Sequence, residues 1–413
     1  MQYKDLPINN KFCPLPWIGT MISPNGLCMA CCVQKQSTNP TNFIENNTIA
    51  DIRNNEFNTK LRMDMISGIQ NTSCEQCWHT EANGADSLRQ IRISEYQDVI
   101  DNLDIQLDGS LLPSDDILHW DVRQTNLCNM KCVTCGPGLS SLWNGELRRN
   151  KMSNSIGTRD IIDASDNSLE DILQTVKKSI PRVSSFYFAG GEPLISDMHW
   201  DILYELILQE RTDVKLSYNT NLLKMNYKGH NAIETWSHFE QVYVGVSIDC
   251  IGPRAEYVRK GTKWNTVESN FKTLYNELPN QIGLHITTSV MTIAALQETL
   301  EWAAQWQQPS NKIKIYANNL VYDPAKMSIN ILPNDMKNKY WQTIKTPLHQ
   351  LDDANAYSLF EEELFSTIPQ DQLDHLRSEF KIIINALDQV RKTNIKTYCP
   401  ELAEWFDGIE IIC

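Results

Sequence analysis

The sequence predicts an α/β fold, built as an open (β/α) barrel or a doubly wound sheet. A Cys-rich region (residues 1–110) precedes this core (115–320), and a mainly helical region (325–413) follows it. Three observations predict this. Short apolar runs alternate with helix-periodic stretches through the middle of the chain. Most of the twelve cysteines crowd into 13–32, 74–77 and 128–135. The last stretch repeats apolar residues at helical spacing.

In order along the chain, the Cys-rich region shows little strand pattern and one helix at "NNEFNTKLRMDMISG", where Leu61, Met65 and Ile66 share a face. The core then offers six strands: "ILHWDVRQT" (117–125), "RVSSFYFAG" (182–190), "VKLSYNT" (214–220), "QVYVGVSID" (241–249), "IGLHITTSV" (282–290) and "KIKIYAN" (312–318). Between them lie "SLEDILQTVKKS", with Ser168 as N-cap and Asp171 three residues on, and the helix "TIAALQETLEWAAQWQ". In "QLDHLRSEFKIIINALDQV" the residues Leu373, Leu376, Phe380, Ile383, Leu387 and Val390 form the stripe of a helix packed on the core.

The chain of 413 residues has a formal charge of −14. That balance opposes a generic nucleic-acid or anionic-membrane binder, which needs a basic footprint, and leaves room for a basic peptide. No run reaches the ~18 apolar residues of a spanning helix, and the first residues lack a signal-peptide core. The expectation is a cytoplasmic protein. Clustered cysteines without an export signal favour metal or Fe–S ligation over disulfides. No Ser-His-Asp arrangement or His-rich metal spacing competes; His119 and His285 read as structural groups.

"CNMKCVTC" supplies three thiols, Cys128, Cys132 and Cys135. Thiolates suit iron, and three of them leave one iron of a four-iron cluster open to another ligand. The loop follows a strand, at the end where (β/α) barrels carry their active sites. "FAGGEPLI" (188–195) follows the second strand, and its paired glycines permit close backbone approach.

The C-x3-C-x2-C loop after a strand resembles the signature of the radical S-adenosylmethionine (radical SAM) enzymes, and Gly190, Gly191, Glu192 and Pro193 resemble that family's GGEP motif. The resemblance implies a partial (β/α)6 TIM-like barrel, with the GGEP segment on the SAM amino group. Ser247 and Arg259, in "VGVSIDCIGPRAEYVRKGT", are similar to a pair that meets the SAM ribose and carboxylate in peptide-modifying members. Asn219, in "SYNTNLL", would stand near the cofactor. The chain departs from the pattern at Thr134, where an aromatic residue is usual, and at Cys250, where glycine is frequent. Cys250 is then a candidate hydrogen donor, and Asp249, Glu192 and Tyr257 are candidates for acid–base help.

Cys13, Gly26 and Cys31, followed by Cys74 and Cys77, resemble the auxiliary-cluster module called SPASM, or its shorter twitch form, placed here before the barrel. The resemblance implies a second [4Fe–4S] cluster on Cys13, Cys31, Cys74 and Cys77, with Cys32 or Cys28 as alternatives and a structural zinc as the competing occupant. Cys399 and Cys413 read as free thiols. Trp17, Trp78 and Trp143, near these loops, read as packing residues.

The implied activity is reductive cleavage of SAM to a 5′-deoxyadenosyl radical that abstracts hydrogen from a substrate. The first expectation is a peptide or protein side chain undergoing oxidation, cross-linking or epimerisation, with a flavodoxin or ferredoxin as reductant. The alternatives are the same chemistry on a small metabolite, and a non-catalytic Fe–S binding protein.

Overall fold

The computed structural model describes residues 11–35, 38–112, 116–152, 156–351 and 354–407. Cys413 lies outside them. The strands are β1 (Gly19–Ile22), β2 (Cys28–Met29), β3 (His119–Val122), β4 (Lys131–Cys132), β5 (Ser185–Phe188), β6 (Lys215–Thr220), β7 (Asn226–Tyr227), β8 (His230–Asn231), β9 (Val242–Ser247), β10 (Arg259–Lys260), β11 (Ile282–Thr288) and β12 (Lys314–Leu320). The six expected strands are β3, β5, β6, β9, β11 and β12. The fold is α/β, a mixed, largely parallel sheet with helices and a helical C-terminal region.

The chain forms two compact units that interleave along the sequence. One comprises 1–128, 157–219 and 226–243; the other comprises 129–156, 220–225 and 244–413. In the first, the strand order is β6-β5-β3-β1-β2. β3, β5 and β6 pair in parallel, and β1 runs parallel to β3 and antiparallel to β2. The Cys-rich region was expected to hold little strand, yet β1 lies in register on β3, with Thr20 opposite Trp120 and Ile22 opposite Val122. All four residues of β1 are buried. A short strand covered on both faces shows no alternation in sequence, so nothing there marked it.

Alternation does sort the faces of β3, β5 and β6. Trp120, Val122, Phe186, Phe188, Leu216 and Tyr218 share one face, and His119, Asp121, Ser185, Tyr187, Lys215 and Ser217 share the other. On the apolar face Phe188 stacks on Tyr218 at 5.2 Å, and His199 of the helix Asp197–Leu208 meets Phe188 edge-on at 4.8 Å. Each such buried aromatic contributes roughly 1.5–3 kcal/mol by area. His199 Nε2 lies 3.1 Å from the Tyr218 hydroxyl, while its Nδ1 is buried without a partner among the described residues. Burial pushes the His199 pKa down from 6.5 to about 3. Below pH 6.5 the unfolded chain binds a proton at this residue and the native chain does not, so stability falls as pH drops towards 3. Replacing His199 with Phe is expected to flatten that decline, measured as urea midpoints at the two ends of the window.

The helix Glu56–Ile66 buries Leu61, Met65 and Ile66 as expected. It also buries Arg62, whose Nε and Nη1 donate to the carbonyls of Gly109 and Pro16. The segment "SLEDILQTVKKS" starts its helix three residues later than expected, at Ile172–Ser179. Asp171 is the N-cap, accepting from Gln174 N at 3.1 Å. The hydroxyl of Ser168 instead accepts from Glu170 N at 3.3 Å. Asp171→Ala is therefore expected to cost about 1 kcal/mol in denaturant unfolding, and Ser168→Ala much less.

In the second unit β9, β11 and β12 form a parallel ladder, and β4 pairs antiparallel with β10. The helix Leu296–Ala304 follows a 3-10 turn, Ile293–Ala295. The long helix Gln370–Arg391 buries Leu376, Phe380, Ile384 and Leu387. Leu373, Ile383 and Val390 are only half-buried. Ile384 displaces Ile383 because the helix keeps one face for two successive four-residue steps, whereas the expected stripe stepped by three after Phe380. Among the described residues no helix is long and apolar enough to cross a membrane.

Candidate functional site

In the first unit the chain leaves β3 through Arg123–Leu127 and arrives at Cys128. The turn Gly190–Pro193, after β5, packs on that segment. Gly191 N donates to Thr125 O at 3.3 Å, and Glu192 N to Leu127 O at 2.8 Å. Gly190 has φ +100, and a Cβ on it would stand 3.0 Å from Arg123 Cβ; one on Gly191 would stand 2.2 Å from Leu127 O. The paired glycines thus admit the backbone that carries Cys128, a closer reason for them than approach of a ligand. Glu192 is buried, and its carboxylate accepts from Leu194 N at 3.2 Å. Pro193 begins the 3-10 turn Pro193–Ile195. Asn219, near the end of β6, has a buried Oδ1 with no hydrogen-bond partner among the described residues.

The second unit holds Cys132 and Cys135. Cys132 lies on β4 opposite Arg259 on β10. Val133 N donates to Val258 O at 2.8 Å, and a Cβ on Gly261 (φ +113) would stand 2.8 Å from Asn129 O. The 258–261 segment therefore clasps the cysteine loop. Burial raises the Cys132 pKa, against the lowering charge of Arg259; Cys135 is pushed up to about 12 by burial and then by the Cys132 charge. Arg259 Nη1 donates to Asp249 Oδ1 at 3.0 Å, and Asp249 Oδ2 is buried without a partner among the described residues.

A small pocket in this unit is lined by Asn221, Ser247, Cys250 and Arg259, among others. Asn221 was not singled out in the sequence, where Asn219 of the same "NTN" run drew attention. Its Nδ2 donates to Asn129 Oδ1 at 2.7 Å. Cys250 is fully buried, and its pKa is raised by burial and then by Asp249; the Cys399 charge acts on it too. Cys399, 149 residues away in sequence, is equally buried, with its thiol 3.7 Å from Met291 O. Tyr257 donates to Asp388 at 3.0 Å and stacks on Tyr398 at 4.7 Å, which gives it a packing role.

The amino-terminal thiols lie in the first unit. Burial raises the pKa of Cys13, and Cys74 and Cys77 raise it further. Burial raises Cys31, and so do Cys32, Cys13 and Cys74. Cys74 is pushed up to about 12 by burial and then by Cys77. Cys13, Cys31, Cys74 and Cys77 thus share one electrostatic neighbourhood. Cys28 feels Glu170 and Arg53 instead, and Cys32 feels Arg123 and Asp121. Arg89, which the sequence did not flag, ties the group together. Its Nε and Nη2 bind Glu81 at 2.9 and 2.6 Å, on the helix of Cys77, and its Nη1 donates to Phe12 O at 2.8 Å, beside Cys13. It also lies 5.0 Å over the Trp78 ring. Trp17 stacks on Phe12 and Trp143 lies beneath Arg391, so both pack as expected. Among the described residues no three His, Cys, Asp or Glu groups are set to hold a single metal ion.

Comparisons with solved structures find distant likeness. An anSMEcpe structure with bound AdoMet is 17% identical, covering 48% of this chain and 50% of that one, at a TM-score of 0.32. SuiB from Streptococcus suis is 13% identical, covering 71% and 63%, at 0.33. SuiB bound to the precursor peptide SuiA is 12% identical, covering 84% and 68%, at 0.30. This chain spans about half the length of the anSMEcpe chain it matches, and at these TM-scores the likeness carries no argument about activity. No curated protein matches the sequence. The family model of the Radical SAM superfamily matches residues 122–303, a span holding Cys128, Cys132, Cys135, the Gly190–Pro193 turn, Ser247 and Arg259. The chain therefore carries a radical SAM domain, which implies a [4Fe–4S] cluster and SAM, and it is an enzyme.

Proposed function

We propose that this chain modifies a peptide or protein side chain by radical SAM chemistry. Cys128, Cys132 and Cys135 would hold the [4Fe–4S] cluster. Gly190, Gly191, Glu192, Pro193, Asn219, Ser247 and Arg259 are the residues that would hold SAM. When bound, cluster and cofactor supply reductive cleavage of SAM and, through it, hydrogen abstraction from the substrate.

The observation that carries this reading is the β4–β10 ladder, which sets Arg259 opposite Cys132 with Asp249 as its counter-ion. A guanidinium so held offers a fixed fork to a carboxylate beside a thiolate ligand. The residues present fit the group: soft thiols for iron, and buried acceptors in need of donors at Asn219 Oδ1 and Asp249 Oδ2. Cys13, Cys31, Cys74 and Cys77 would hold a second cluster. The peptide substrate is supported by the Ser247–Arg259 pattern and the amino-terminal thiol module. Each recurs in peptide-modifying relatives, and a flavodoxin or ferredoxin would supply the electron. A small metabolite is the second substrate reading.

Anaerobic reconstitution, followed by SAM, dithionite and an assay for 5′-deoxyadenosine, tests the chemistry. The wild type is expected to release the nucleoside, and the Cys128, Cys132 and Cys135→Ala triple variant none. Release by the triple variant would remove the cluster assignment.

A further inference from the structure

The polar face of the first unit's sheet carries an arginine that no step above uses. Arg123 is the first residue after β3, five before Cys128, with its backbone against Gly190. Its Nε donates to Asp121 Oδ1 at 2.6 Å and its Nη2 to Asp121 Oδ2 at 3.0 Å. The Tyr187 ring lies 5.3 Å from the guanidinium carbon. One edge of the planar fork is thus fixed and one face is covered, so the group has a single orientation.

The other edge is open. Among the described residues Nη1 has no hydrogen-bond partner, although the side chain is only 21% exposed and that of Asp121 only 4%. That edge is not sealed from solvent, so an arriving oxyanion replaces water there with a charge-assisted hydrogen bond.

The surrounding charge favours an anion as well. Arg92 and Lys215 share Glu95, with Lys215 Nζ 2.5 Å from Glu95 Oε1. Three cations, Arg123, Arg92 and Lys215, therefore face two carboxylates, Asp121 and Glu95. His119 and Ser185 on this face are engaged with each other and with Tyr96: His119 Nδ1 lies 2.6 Å from the Ser185 hydroxyl, which lies 2.6 Å from that of Tyr96. They are uncharged and do not offset the excess. Cys32 lies within electrostatic reach of Arg123, Asp121 and Arg92.

We propose that Arg123 is a specificity residue whose free guanidinium edge grips an oxyanion of the substrate, with Asp121 and Tyr187 as its positioning residues. The proposal deepens the function given above and rests on it. On the peptide reading the oxyanion is a carboxylate, from an acidic side chain or a chain terminus; on the metabolite reading it is a carboxylate or a phosphate. Asp121 fixes the arginine but repels an incoming anion, and Arg92 and Lys215 offset that repulsion. A lysine at this position would keep the charge and lose the fork.

Cys32 provides the test. The full reconstituted chain is treated anaerobically with iodoacetate or with iodoacetamide, and the peptide carrying Cys32 is weighed. In either reaction the sulfur forms a bond to the methylene carbon, iodide leaves with the bonding pair, and the thiol proton goes to solvent. An oxyanion anchor should raise the iodoacetate rate relative to iodoacetamide by about tenfold over a free thiol, as one charged hydrogen bond allows. Arg123→Gln should abolish that preference and Arg123→Lys should reduce it. Protection of Cys32 by N-acetylglutamate identifies a carboxylate substrate, and protection by inorganic phosphate a phosphorylated one.

Equal preference in wild type and Arg123→Gln overturns the anchor, and protection by SAM instead gives the arginine to the cofactor and overturns the substrate role. Should neither reagent reach Cys32, melting temperatures decide. N-acetylglutamate or phosphate is expected to raise that of the wild type and not that of Arg123→Gln, and equal responses reject the proposal. Neither readout needs SAM cleavage, so a failure of the anchor is distinguishable from a failure of the catalytic reading.

Discussion

Gly191→Ala is expected to lower 5′-deoxyadenosine release by at least ~100-fold while leaving the chain folded. The new Cβ would stand 2.2 Å from Leu127 O and 2.8 Å from Asn126 C. Both are backbone atoms, so no side chain can swing aside. The turn and the 126–127 segment must part, weakening the bonds from Gly191 N to Thr125 O and from Glu192 N to Leu127 O. Overpacking of this kind costs about 1–3 kcal/mol, and each weakened hydrogen bond adds about 1 kcal/mol. The kinetic effect is larger than the loss of stability because Leu127 precedes Cys128. Displacing a reacting group by ~1 Å costs about 10²-fold in rate. Gly136→Ala is the control: it adjoins Cys135, but its Cβ would meet nothing within 4 Å. Wild-type iron content and nucleoside release in Gly191→Ala would sink the packing account.

The second large effect is expected from replacing Cys74 and Cys77 together with Ala. Beyond burial, Cys74 and Cys77 raise the pKa of Cys13, Cys13 and Cys74 raise that of Cys31, and Cys77 raises that of Cys74, while Arg89 bridges the segment of Cys13 to the helix of Cys77. Iron should fall from about eight to about four per chain, the difference between two four-iron clusters and one. Nucleoside release without substrate should persist, because Cys128, Cys132 and Cys135 are untouched. Cys28→Ala and Cys32→Ala should leave the iron count unchanged, since those thiols face Glu170 and the Arg123–Asp121 pair. Undiminished iron in the double variant, or stoichiometric zinc in the wild type, would show that these four thiols hold no second cluster.

Much of the fold was legible because the core strands sit in longer apolar or alternating runs and are separated by clear helix patterns. Elements that escaped notice were short or locally featureless. β1 has four buried residues and no period, and its place beside β3 depends on a partner a hundred residues away. The cap of the Ile172–Ser179 helix was misplaced because Ser168 and Asp171 are both good caps by type. Only the path of the preceding turn selects Asp171.

The sequence by itself determined the chemistry available here: three thiols at C-x3-C-x2-C, a Gly-Gly-Glu-Pro turn after the next strand, and a second set of cysteines upstream. Such spacings are local, and local chain geometry makes them meaningful. Tertiary structure decided which of two adjacent thiols joins which neighbourhood. Cys31 faces Cys13 and Cys74, while Cys32 faces an ion pair on the polar side of the sheet. It also left one edge of the Arg123 guanidinium without a partner among the described residues, and it brought Cys399 within electrostatic reach of Cys250. Side-chain direction at a turn, and contact between distant segments, follow from packing the whole chain, and no window of sequence contains that information.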